Sequence, residues 1–245
     1  MSITLCHISD THRYHDKITI PPCDVLIHSG DIGGRTNLAE LRSFLDWAEA
    51  QPVKKVIWIA GNHDIALDLA WAKRDIDAYT RKVLEADYVD AMKMIMQSKT
   101  VYLNNTDYVF EGVKFWGSPI TPSFHRQNWA FNADRGEEIS KTWAKIPGDV
   151  DVLITHGSPY GILDHIPESF KSTPDEDVHR GCKDLLGVIK KRLTKLKLHC
   201  FGHLHSSYGV TWQQISNTRS ALFSNGSVID EEYKIKAPKP LIITL

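Results

Sequence analysis

Five short blocks of this 245-residue chain carry side chains able to hold metal ions and move protons. They are Asp10-Thr11-His12, Gly30-Asp31, Gly61-Asn62-His63-Asp64, His156-Gly157 and Gly202-His203-Leu204-His205. Seven residues among them are candidate metal ligands: Asp10, His12, Asp31, Asn62, His156, His203 and His205. A set mixing imidazole, carboxylate and carboxamide suits manganese, iron, zinc, cobalt or nickel, whereas calcium sites are built from oxygen alone. A single ion would leave most of the seven idle, so two are expected. Two divalent ions bring four positive charges; Asp10, Asp31 and one hydroxide remove three, leaving about +1. Such a centre attracts a phosphate oxyanion and holds a nucleophile at neutral pH.

Each block directly follows an apolar run rich in β-branched residues. The five runs are Ile3–Ile8, Val25–His28, Lys55–Ile59, Val152–Thr155 and Lys197–Phe201. Further strands are predicted at Val101–Leu103, Ala221–Phe223 and Leu241–Thr244, and a hairpin joins Tyr108–Phe110 to Val113–Trp116 through Glu111-Gly112. The candidate ligands therefore arrive at the C-terminal ends of strands, the edge where layered α/β proteins bind ligands. On extended backbone, residues i and i+2 point the same way. That reading lets Asp10 and His12 grip one ion, and His203 and His205 one or two. Glycines before Asp31, Asn62 and His203 permit sharp turns and close approach.

Helical periodicity marks Leu38–Ala50, Asp75–Met96, Arg135–Trp143 and Val178–Leu193, with Asn37 and Asp134 as N-caps for two of them. Strands alternating with helices and interrupted by hairpins predict two mixed sheets packed face to face, with helices outside. No low-complexity linker breaks the composition, so residues 1–245 read as one domain. Apolar residues make up 42%, charged residues 24%, and the net charge is -1, which argues against a nucleic-acid partner. No apolar run is long enough for a membrane span. The chain enters its first predicted strand at once, and the four cysteines form no framework; a cytoplasmic setting with reduced thiols is expected.

Taken together and in order, the five blocks resemble the motif set of the calcineurin-like metallophosphoesterase superfamily. The resemblance spans residues 10–205. It implies an α/β fold, a four-layer αββα sandwich, and a hydrolase with a dinuclear metal centre. Ile8-Ser9-Asp10-Thr11-His12, Phe131-Asn132-Ala133-Asp134-Arg135-Gly136, Thr155-His156-Gly157, Gly181-Cys182 and Leu198-His199-Cys200-Phe201-Gly202-His203 further resemble the metallophosphoesterase-domain-containing brain protein family. Members of that family are phosphodiesterases active on cyclic nucleotides and aryl phosphodiesters, with manganese among the candidate metals. By that resemblance Asp10, His12 and His205 hold one ion. Asn62, His156 and His203 hold the other, and Asp31 bridges. His63 serves the leaving oxygen, Asp64 orients His63 and raises its basicity, and a metal-bridging hydroxide attacks phosphorus. The substrate implied is a small phosphate ester, nucleotides included. The alternatives are a phosphomonoesterase acting on a small metabolite or nucleotide and a non-catalytic metal-binding scaffold. Protein phosphatases of the superfamily carry an Asp and an Arg after Gly-Asp; here Ile32-Gly33-Gly34-Arg35 follows, which argues against a phosphoprotein substrate. His203, replaced in weakly active relatives, is retained.

Other residues take plainer readings. His7, His28 and His199 lie within strands and are expected to hydrogen-bond backbone. His15, His125, His165 and His179 are expected at the surface. The basic run Lys190-Lys191-Arg192 reads as a solvated helix face. Phe124, Trp129, Phe131, Tyr160 and Tyr208 fall near the ligand-bearing ends, where one or two are expected to stack on a nucleobase. Segments Ser118–Pro147 and Ser158–Asp177 read as loops beside the site, with Arg126, Lys171 and Arg180 as their phosphate-facing cations.

Overall fold

A computed structural model describes residues 2–245 apart from 74–75, 125–128, 172, 174 and 237–238. The chain begins with β1 (Thr4–Ile8), β2 (Cys23–His28), α1 (Leu38–Glu49), β3 (Val53–Trp58), α2 (Leu69–Ala72) and α3 (Ala78–Gln97). Next come β4 (Val101–Tyr102), β5 (Thr106–Phe110), β6 (Val113–Ser118), β7 (Thr121–Pro122), β8 (Asn132–Ala133), α4 (Glu137–Trp143) and β9 (Val152–Thr155). It ends with α5 (Lys183–Arg192), β10 (Leu198–Phe201), β11 (Gly209–Ser216), β12 (Arg219–Asn225) and β13 (Leu241–Thr244).

Two mixed sheets result. One has the order β13-β1-β2-β3-β4, the other β11-β12-β10-β9-β6-β5, and a two-stranded pair β7-β8 stands apart. Within the first, β1 to β4 run parallel and β13 pairs antiparallel with β1. Within the second, β6, β9, β10 and β12 run parallel, flanked by antiparallel β5 and β11. Register brings strand ends level: Ile8 pairs with His28 and His28 with Trp58. In the second sheet Ser118 pairs with Thr155 and Phe201 with Asn225. The loops leaving these ends emerge along one edge.

Alternation along the strands builds three apolar layers. Leu5, Val25, Ile27 and Ile57 meet Phe115, Val152, Ile154 and Leu198 between the sheets. On the outer side of the first sheet, Cys6, Ile8, Leu26 and Trp58 pack with Leu41, Phe44, Leu45 and Ala48 of α1 and Ala91 of α3. On the outer side of the second, Trp116, Leu153, Phe201 and Phe223 pack with Ile139 and Trp143 of α4 and Leu185 and Ile189 of α5. The predicted αββα sandwich is the observed fold. Among the described residues, no helix is long and apolar enough to cross a membrane.

Several boundaries differ from the sequence reading. Asn37 caps α1 as predicted, accepting from the amides of Ala39 and Glu40 at 2.9 and 3.0 Å. The cap of α4 is Gly136 rather than Asp134, and Asp77 caps α3, whose predicted start at Asp75 lies outside the described residues. The helix predicted from Val178 begins at Lys183, because residues 178–182 are extended and bridge to His165 and Pro159. Strand β11 escaped prediction; its polar alternation leaves Val210 and Trp212 exposed on an edge. The buried strand histidines bond hydroxyls more than backbone: His7 meets Ser224 and Ser29, His28 meets Thr11, and His199 meets Thr155.

Candidate metal centre

The five sequence blocks converge. Donor atoms of Asp10, His12 and His205 lie within 4.8 Å of one another, as do those of Asp31, His156 and His203. Asp31 touches both groups: its Oδ2 is 3.7 Å from His12 Nε2 and 3.3 Å from His156 Nε2. Asn62 joins the second group, its Oδ1 2.9 Å from His156 Nε2. Asp10 Oδ1 is 3.5 Å from His205 Nε2.

Backbone carbonyls select which imidazole nitrogen faces the centre. His156 Nδ1 donates to Ser29 O at 2.9 Å and His205 Nδ1 to Asp230 O at 3.1 Å, leaving each Nε2 for a metal. His12 supplies the fit test. Both its ring nitrogens are buried and have no hydrogen-bond partner among the described residues, a state that buried polar atoms rarely keep. An ion held with Asp10 and His205 satisfies one of them. The donor set fits a divalent transition metal.

The backbone reaches this arrangement by a route other than extended strand. Asp10, His12, Asp31 and His203 all have positive φ, at 54°, 40°, 59° and 68°. Left-handed backbone is costly for non-glycine residues and collects at functional sites. The expectation that Asp10 and His12 converge through extended i, i+2 geometry is therefore corrected: a left-handed turn folds them together. The same turn chemistry divides the last motif. His203 joins Asp31 and His156, whereas His205 opens a 3₁₀ turn and joins Asp10 and His12. Gly202 is obligatory there, since a Cβ would press on Ser9 Oγ and Asp10 Oδ2.

Electrostatics follow from burial and crowding. Burial raises the Asp31 carboxyl, but the neighbouring His156 and His63 outweigh it and hold Asp31 well below the usual range. Asp10 is likewise kept low against its burial by the hydrogen bond from His205. Burial drives His12 down to about 4. His203 falls to about 3 through burial and the nearby His156. His156 moves the other way, up to about 9, because the Asp31 charge beside it overcomes burial. The candidate ligands are thus two carboxylates and a cluster of imidazoles crowded together, a donor set that suits a divalent ion.

Around the ligands, Asp64 organises backbone. Fully buried, it accepts from the amides of Asp31 at 3.0 Å, Ile32 at 3.1 Å and Gly61 at 2.7 Å, and from Thr36 Oγ1 at 2.5 Å. The His63 ring is held instead by Gly34, whose carbonyl accepts from Nδ1 at 2.5 Å. The predicted Asp64 contact to His63 is replaced by an indirect one, through the loop that presents Gly34. His63 stands 4.6 Å from His12 between ring centroids, and 4.3 Å from Trp129.

A family match agrees with this geometry: the calcineurin-like phosphoesterase pattern matches residues 3–207. The chain belongs to the calcineurin-like phosphoesterase family. Metallophosphoesterase domain-containing protein 1 of Homo sapiens is 32% identical over 97% of this chain and 69% of its own length. A UPF0046 protein of Caenorhabditis elegans is 31% identical over 97% of this chain and 79% of that protein. The crystal structure of phosphopantetheinyl hydrolase from Mycobacterium tuberculosis superposes with a TM-score of 0.54 at 21% identity, covering 92% of this chain and 89% of that one, a likeness of fold. Family membership makes the chain a metal-dependent phosphoesterase.

The calcineurin-like site includes residues that the sequence reading passed over. Ser227 Oγ donates to Asp10 Oδ2 at 2.6 Å, and Asn225 Nδ2 donates to Leu204 O at 3.0 Å. Both follow the same pattern as the five blocks, polar residues leaving an apolar strand. Tyr233 was also missed; its ring lies 4.9 Å from His12 and 5.6 Å from His205. Phe131-Asn132 belongs to the support: Asp68 accepts from Phe131 N, and Ala130 N donates to Asn62 O. Arg135 donates to the carbonyls of Gly181 and Arg180, tying two of the family-like stretches together. Of the proposed loop cations, Lys171 pairs with Glu168 and Arg180 with Glu176, while Arg126 and His125 lie outside the described residues. Tyr160 donates to Asp177 and Tyr208 to Lys239 O, so neither hydroxyl is turned to the ligands.

Proposed function

We propose that this phosphoesterase is a dinuclear phosphodiesterase acting on small diesters with an aromatic or nucleoside substituent, cyclic nucleotides among them. The observation that carries the reading is Asp31, one carboxylate oxygen of which lies within 3.7 Å of a histidine in each ligand group. That placement suits a bridging ligand between two ions. Asp10, His12 and His205 would hold one, and Asn62, His156 and His203 the other. Bound there, the ions supply Lewis acidity and a nucleophile at neutral pH, with manganese a fitting choice for this ligand set.

The chain's own residues do the rest. His63 commits Nδ1 to the Gly34 carbonyl, which can only accept, so Nε2 is the nitrogen available to pass a proton to the leaving oxygen. Asp64 is a positioning residue: it pins the Asp31–Gly33 amides, and so the loop that presents both Asp31 and Gly34. Trp129 lies against His63 and Phe124 against His203, while Tyr233 covers His12. Rings so placed favour a phosphate bearing a flat apolar group beside the leaving oxygen. A single domain over residues 1–245 and a cytoplasmic setting belong to the same reading.

Metal counting tests the centre. Elemental analysis of manganese-loaded protein should give about two ions per chain, and Asp31→Asn should lower that number. One ion in both proteins would remove the bridge from the account.

A further inference from the structure

A second group of metal-binding side chains lies where the two arms of the 158–182 loop meet. Main-chain bonds pair the arms: Cys182 N donates to Ser158 O, Arg180 N to Asp164 O and Ile166 N to Val178 O, at 2.9–3.0 Å. His165 and His179 consequently face each other across an antiparallel bridge, with ring centroids 4.3 Å apart. Asp164 lies behind them, fully buried, where its Oδ2 accepts from the amides of Gly161 at 2.8 Å and Gly181 at 3.0 Å. Its Oδ1 accepts from His179 Nδ1 at 2.5 Å.

That bond fixes His179 with Nε2 outward, 3.3 Å from His165 Nε2. The separation is long for an N–H···N hydrogen bond. It matches the roughly 3.3–3.4 Å that two imidazoles span when each binds zinc at about 2.0–2.1 Å with tetrahedral geometry. A carboxylate behind a histidine, holding its other nitrogen, is the usual support of a metal-binding imidazole. Donor atoms of all three residues fall within 4.8 Å.

We propose that His165 and His179 bind a zinc-class divalent ion through Nε2, with Asp164 orienting His179 and solvent completing the coordination. The ion clips the two arms of the loop together, outside the centre built on Asp31. It lies close to that centre in bonding terms: Ser206 and Ser207, from the turn that carries His205, both donate to His165 O, at 2.7 and 3.0 Å.

Zinc alone is the probe. Equilibrium dialysis against zinc would compare the wild-type chain with His165→Gln and His179→Gln, and repeat the comparison in an Asp31→Asn background. His165 is exposed, so His165→Gln leaves the core untouched. The expected result is a loss of about one zinc per chain in either variant and in both backgrounds. Equal zinc content in wild type and variants overturns the proposal. So does a loss that disappears in the Asp31→Asn background, since the missing ion then belonged to the main centre.

Discussion

His63 enters the site with one nitrogen already engaged by Gly34, and this division of labour makes it separable from the ligands. His63→Ala should retain the wild-type metal content and lose about 10²–10⁴-fold in diester turnover, the range of general acid catalysis. Elemental analysis beside a turnover assay checks both halves, and unchanged turnover removes His63 from the chemistry. At this scale the candidate ligands, which the fold brings together, were legible because seven polar residues, from Asp10 to His205, each follow an apolar strand. The partners of His63 and Asp64 were not. Which carbonyl or amide a side chain meets depends on the path of the Ile32–Thr36 loop, and residue types alone do not encode that path. Ser227 shows a different gap: its signal is present, in Asn225-Gly226-Ser227 after an apolar run, but a hydroxyl is common in turns and marks a metal site far less specifically than imidazole or carboxylate.

At the scale of elements, strand ends and tight turns set the geometry of the candidate centre. Gly202 sits so close to Ser9 and Asp10 that any side chain must displace one of them. Gly202→Ala should therefore weaken metal affinity and lower stability by about 1–3 kcal/mol, the usual cost of overpacking. Chelator competition and urea unfolding measure the two effects; native affinity in the variant would show that the close approach is dispensable. The order of the longer helices and strands was readable from periodicity, but edge strand β11, whose alternation is weakly apolar, and the short elements α2, β7 and β8 were not, since two to four residues carry no period. What periodicity concealed was the left-handed backbone at Asp10, His12, Asp31 and His203, because no glycine or proline marks those four positions.

Across the whole molecule, buried histidines interrupt the apolar layers: His7 lies on the Leu5 face between the sheets, and His199 lies with Phe201 and Phe223 on the outer side of the second sheet. Burial lowers His7 and His199 from 6.5 to about 3. Both stay neutral in the folded protein while the unfolded chain takes up protons below about pH 6.5, so acid favours unfolding. The stability they permit is intact above that pH and declines as the pH falls toward 3, by up to about 1.4 kcal/mol per unit for each histidine. Urea unfolding of chelator-treated protein at pH 7.5 and 5.5 should show the decline, and His199→Gln should flatten it. A pH-independent midpoint contradicts this assignment.

The two sheets meet so that β1, β2 and β3 from one, and β9 and β10 from the other, deliver one set of candidate ligands along one edge. These residues are proposed to hydrolyse diesters. The most direct test is paired turnover of a bis-aryl phosphodiester and an aryl phosphomonoester by manganese-loaded protein, with Asp31→Asn as control. The expected result is a strong diester preference that the substitution abolishes. A monoester preference, or no turnover of either ester by metal-loaded protein, would contradict it.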